Sequence, residues 1–92
     1  AYIQEDLIYK NAEVNKNKAI INLVFQGQSA SDLQVITNTY LKEYLTNIFN
    51  DLVDPYITLA MMNNMDIYFR FTSDASLCWQ EDVIFTPKEY NK

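Results

Sequence analysis

The chain has 92 residues and a mass of 10.8 kDa, with twelve acidic against seven basic side chains and a net charge of −5. That size holds one domain, and that charge gives no electrostatic footprint for phosphate backbones or anionic membranes. Histidine is absent, and cysteine and glycine each occur once. Those three counts remove most nucleophilic, acid–base, zinc and phosphate-loop chemistry at the outset.

With 49% hydrophobic and 14% aromatic residues the chain is too apolar for disorder and has the composition of a globular domain. Cys78 has no second cysteine to pair with, which fits a reducing compartment. No apolar run approaches the roughly 18 residues of a membrane span, and no charged-then-apolar leader opens the chain. Ala1 suits a chain trimmed of its initiator methionine, so a complete cytoplasmic protein is expected. An extracytoplasmic chain that has lost its signal is the alternative.

In chain order, residues 6–14 predict a strand, with a helical turn over 2–9 as the competing assignment. Asn15-Lys16-Asn17 is a polar, turn-forming break. Residues 18–26 predict the best strand: Ala19, Ile21, Leu23 and Phe25 fall on one face and Ile20 and Val24 on the other, the pattern of a central strand. The two strands read as a hairpin. Gly27 follows, where a chain leaving a sheet needs an unusual φ. Ser31 with Gln34 three residues on forms a capping box, with Asp32 in the first turn. Leu33, Ile36, Tyr40, Leu41, Tyr44, Leu45, Ile48 and Leu52 then recur at helical spacing, predicting one long helix over 32–53. Asp54-Pro55 ends it and starts a second helix, with Asp as N-cap and Pro in the first turn. Asn63-Asn64 is a left-handed stop. Asp66 to Thr72 alternates, Ile67, Phe69 and Phe71 opposing Tyr68, Arg70 and Thr72. After a turn at 73–76 a final strand runs from Leu77 to Thr86, irregular near 80–82. Residues 87–92 read as a polar tail.

Strands at both ends of a helical middle predict a single α+β domain over 1–92. The expected order is ββααββ, with an antiparallel sheet covered on one face by a long and a short helix. The stretch 18–86 resembles POTRA-type domains in its β-α-α-β-β order, and that likeness of element order implies an assembly module outside the cytoplasm as one alternative role.

Candidate chemistries are few. Ser29, Ser31, Ser73, Ser76 and Cys78 lack a histidine base; a Ser–Lys pair with Lys42 or Lys18 is chemically possible, but each serine has a cap or turn role. Cys78, placed in a strand beside Trp79, reads as a small buried hydrophobe. Asp54 is explained as a cap, and Asp51, Glu81 and Asp82 lack the oxygen-rich, glycine-bent loop that a hard cation needs. Gly27 before Ser31 is a weak phosphate cradle, with Asp32 repelling an anion. Arg70 is the one base near Tyr68 and Phe69 and is expected to pair with an acid on an adjacent strand. The expectation is therefore no enzyme, metal, cofactor or nucleic-acid partner and no membrane insertion.

The second helix is the unusual feature. Tyr56, Ile57, Leu59, Ala60, Met61, Met62 and Met65 leave almost no polar face between Pro55 and Asn63, and a two-layer domain cannot easily bury a helix on every side. A soft, Met-rich contact surface follows, expected to involve Ile57, Met61, Met62, Met65, Tyr68 and Trp79. The leading expectation is a non-enzymatic interaction domain that forms a homodimer. A small acidic inhibitor or immunity-type protein masking a basic partner is the alternative that the net charge suggests.

Overall fold

The computed structural model describes residues 7–27, 30–51, 54–75 and 78–91. Ser29, Leu52, Ser76 and Leu77, assigned above to turns, a helix stripe and a strand, lie outside them, as do residues 2–6 of the alternative N-terminal helical turn.

Strand β1 (Leu7–Asn15) pairs antiparallel with β2 (Lys18–Phe25) through a two-residue turn. Lys16 takes a left-handed φ of 58° there, which lets so short a connection reverse the chain. A bulge at Lys10, between Tyr9 and Asn11, interrupts the ladder. The chain then forms α1 (Ala30–Leu33), α2 (Asn38–Ile48) with a 3₁₀ turn at Phe49–Asp51, and α3 (Pro55–Met62). Strands β3 (Asp66–Ser73) and β4 (Gln80–Phe85) and the short helix α4 (Pro87–Tyr90) complete it. The sheet order is β1-β2-β3-β4, so β2 is central, as its two apolar faces require.

The sheet is mixed and not antiparallel throughout. β3 runs parallel to β2, from Lys18 opposite Asp66 to Phe25 opposite Ser73. A parallel neighbour needs a long crossover, and residues 26–65 supply it by carrying the chain back along the sheet. The Asp66 amide then donates to the Asn17 carbonyl at 3.2 Å, setting β3 beside the start of β2.

The long helix over 32–53 is broken. It stops after Leu33, and a new helix begins with Thr37 as N-cap, its Oγ1 accepting from the Tyr40 amide at 3.1 Å. The Ser31 capping box does not form, because Ser31 lies inside α1. Two physical reasons favour the break. Val35, Ile36 and Thr37 are consecutive β-branched residues of modest helix propensity. An uninterrupted 22-residue helix would measure about 33 Å, against about 26 Å for an eight-residue strand. The apolar spacing persists because Leu33, Leu41 and Leu45 still face one core. The final strand also differs from expectation: β4 begins at Gln80 and pairs with β3 in unbroken register through residues 80–85, with the bulge in β1 instead.

The core lies between the helices and one sheet face, where Ile21, Phe25, Ile67, Phe69, Phe71, Val83 and Phe85 meet Leu33, Leu41, Leu45, Ile57 and Ala60. Phe49, in the 3₁₀ turn, sits 5.0 Å from Phe85 and 6.3 Å from Phe69 between ring centroids. The expected polar tail is a structural strap. Glu89 caps α4 through the Thr86 amide at 3.0 Å, and Tyr90 donates to the Met65 carbonyl at 2.7 Å while stacking on Phe49. Lys42 of α2 pairs with Glu89 at 2.7 Å. No helix among the described residues is long and apolar enough to cross a membrane.

Leu45→Ala should cost about 2–5 kcal/mol in chemical denaturation, because Leu45 is buried in the core and the change removes its packed methyls. Hydrogen bonding to Lys42, and then to the Thr86 backbone, holds the Glu89 carboxyl below its ordinary value. Its contribution to stability is therefore present above about pH 4.3, the unfolded value, and is lost as pH falls through the lower folded value. In urea titrations between pH 3 and 6, Glu89→Gln should be less stable than wild type at pH 6 and converge with it at the acid end.

Candidate interaction surface

Helix α3 is built by its flanks. Asp54 Oδ1 accepts from the Tyr56 and Ile57 amides at 2.8 and 3.2 Å, and Pro55 opens the helix where no amide is needed. Asn64, at φ 53°, turns the chain toward β3. None of the eight residues of α3 is charged. The helix has two apolar sides, and the fold consumes one. Ile57 and Ala60 are buried, and Met61 packs against them at the margin of the core. Tyr56, Leu59 and Met62, spaced at i, i+3 and i+6, face outward with exposures of 39%, 45% and 77%. Tyr9 and Val14 of β1, the strand along this side of the sheet, are also exposed.

The six residues expected to share one surface do not do so. Ile57 and Met65 belong to the core, since α3 must bury one side against β1, β2 and β3. Trp79 packs edge-on against Phe25 at 5.8 Å. Tyr68 lies on the opposite face of the sheet, where strand alternation puts it beside Ile20 and Ile84, with the Lys18 ammonium 4.7 Å over its ring. Met62 is the fully outward member, with Met61 half-buried beside it. Leu59, Tyr56, Tyr9 and Val14 are the residues that sequence reasoning left out. For Leu59 and Tyr56 the three-residue spacing to Met62 was a usable signal.

The polar side chains of that opposite sheet face pair with one another, while Ile8 and Ile84 on it remain exposed. Asn22 donates to Asn11 at 2.7 Å, and Arg70 binds Asp82 in bidentate fashion at 3.0 and 3.1 Å, so Arg70 is held by an acid on the adjacent strand. That bond to Asp82 also raises the Arg70 pKa. The outer edge of β4 is closed as well. Asn38 donates to the Asp82 carbonyl at 2.7 Å and Lys42 donates to the Ile84 carbonyl, so two residues one turn apart on α2 cover alternate edge carbonyls.

Between the sheet and the facing ends of α2 and α3 lies a solvent-open cleft of about 660 Å³. Leu7, Ile21, Leu23 and Phe69 form its floor, and Tyr44, Ile48, Pro55 and Ile57 its walls, with Tyr9 and Asp54 also lining it. Leu23 is on the core face of a central strand yet only partly buried, unlike Ile21 and Phe25 beside it. Tyr9 is half-exposed, but desolvation of its ring and the neighbouring Asp54 carboxylate raise its pKa.

The remaining candidates are dispersed. The Gly27 amide, at φ 70°, is committed to Asp74 Oδ1 at 2.9 Å, tying the end of β2 to the end of β3. Asp51 is exposed in the 3₁₀ turn. Among the described residues, no three acidic or cysteine side chains gather where they could hold a metal ion. Cys78 is not the buried strand residue expected; it precedes β4 in a turn and is exposed. Comparison with protein-family models, curated proteins and solved structures finds no match for this chain.

A thiol-specific colorimetric reagent should titrate one equivalent of cysteine in the native protein without denaturant, as the exposure of Cys78 requires. A thiol that appears only on unfolding would contradict that placement.

Proposed function

We propose that this protein is a non-enzymatic interaction domain that self-associates through the outward side of α3. The observation that carries the reading is the uncharged stripe Tyr56–Leu59–Met62, with Met62 77% exposed. Fully burying one such side chain is worth about 1.5–3 kcal/mol, a large share of a small domain's stability. The stripe is also its own complement. In an antiparallel pair of α3 helices across a two-fold axis, Leu59 meets Leu59 of the other copy. Each Tyr56 then meets Met62 of the other copy, a favourable sulfur–aromatic pairing. Because α3 carries no charge, the net charge of −5 is not concentrated where the two copies meet. A contact only about two helical turns long falls at the weak end of interface sizes, so association should depend on concentration. The readings as an acidic inhibitor or a POTRA-like module have no observation of their own: α3 is uncharged, and the second rests on element order.

Sedimentation equilibrium of wild type beside Met62→Lys, over a wide concentration range, tests this. Wild type should dimerise and the variant remain monomeric, with an unchanged circular dichroism spectrum because position 62 is solvent-facing. A wild type that stays monomeric at the highest concentration, or a variant that dimerises equally well, overturns the reading.

A further inference from the structure

The cleft between the sheet and the helices is distinct from the α3 stripe, and its chemistry points to a different kind of occupant. We propose that it binds a small amphiphilic amine, with the apolar body over Leu23 and the ammonium beside Asp54 and Tyr9.

Three observations support this. First, about 660 Å³ lies within the range of small-molecule sites, and a floor of Leu7, Ile21, Leu23 and Phe69 suits a hydrocarbon tail or ring. The partial exposure of Leu23 in the middle of the sheet marks where the described residues leave the core unfilled. Secondly, the polar groups in the lining favour a cation. Asp54 spends Oδ1 on the α3 cap, and among the described residues the ion pairs are Lys42–Glu89 and Arg70–Asp82, so no lysine or arginine neutralises Asp54. A carboxylate at an apolar cleft, with no ion partner among these residues, attracts a positive headgroup and repels a negative one. Thirdly, Tyr9 and Tyr44 also line the cleft and present aromatic rings that favour an ammonium.

The test uses N-phenyl-1-naphthylamine, a small fluorescent arylamine, with the whole 92-residue chain. Its fluorescence should rise on saturable binding, and dodecylammonium below its micellar concentration should displace it about tenfold more tightly than dodecanoate does. Asp54→Asn retains a good N-cap and should abolish that preference while keeping probe binding. Leu23→Trp should fill the cleft and abolish probe binding without changing the oligomeric state. Met62→Lys should leave binding intact, which separates this site from the α3 stripe. Lack of probe binding by wild type, binding retained by a folded Leu23→Trp, or equal displacement by the two detergents would overturn the proposal. Should Leu23→Trp fail to fold, the headgroup preference and its loss in Asp54→Asn decide the matter.

Discussion

Everything in this fold depends on the parallel pairing of β2 with β3. Two neighbouring strands can run in the same direction only if the chain between them returns the length of the sheet. Here residues 26–65 make that return, and Asp66 closes it on the Asn17 carbonyl. The return puts all three intervening helices on one face, where Phe69, Phe71 and Phe25 need covering. The path turns after Leu33 and again between α2 and α3, and each helix therefore covers only part of the sheet. The cleft is the gap left where α2 and α3 diverge above Leu23.

Helix α2 carries more of the architecture than its two fully buried leucines suggest. Leu41 and Leu45 anchor it, while Asn38 and Lys42, on its flank, reach the outer carbonyls of β4. Lys42 also lies over the Phe85 ring and pairs with Glu89, linking α2, β4 and α4 through one ammonium. One edge of the sheet is thus withdrawn from pairing with other chains. The other edge strand, β1, is blunted by the bulge at Lys10 and by its charged side chains. Strand addition at either edge is consequently a poorer route to association than a helix face.

Helix α3 carries more apolar side chains than its packing on the sheet uses. An eight-residue helix on a sheet needs one apolar side, and Ile57 and Ala60 provide it. Tyr56, Leu59 and Met62 on the other side are only partly covered by the described fold, Met62 least of all. The self-association proposed above would cover them, and the cleft lies at the N-terminal end of α3, where Asp54 and Pro55 face Tyr9. Asp54 serves both regions, as the cap that starts α3 and as the carboxylate beside Tyr9.

Much of this was legible in the linear chain because it depends on contacts a few residues apart. The strand alternation of 18–26 and 66–72, the Lys16 turn, the Asp54-Pro55 start and the Asn64 stop are local geometry, and the sequence by itself determined them. So too was the prospect that Arg70 would find an acid. The helix break at 34–37 was half legible, in three consecutive β-branched residues, but the surrounding apolar period concealed it. Strand direction, the ordered α4 strap, the exposure of Cys78 and the division of α3 into core and outward sides were decided only by tertiary structure. Each depends on which distant segment arrives beside a residue, and hydrophobic periodicity records that a side is apolar without recording what will cover it.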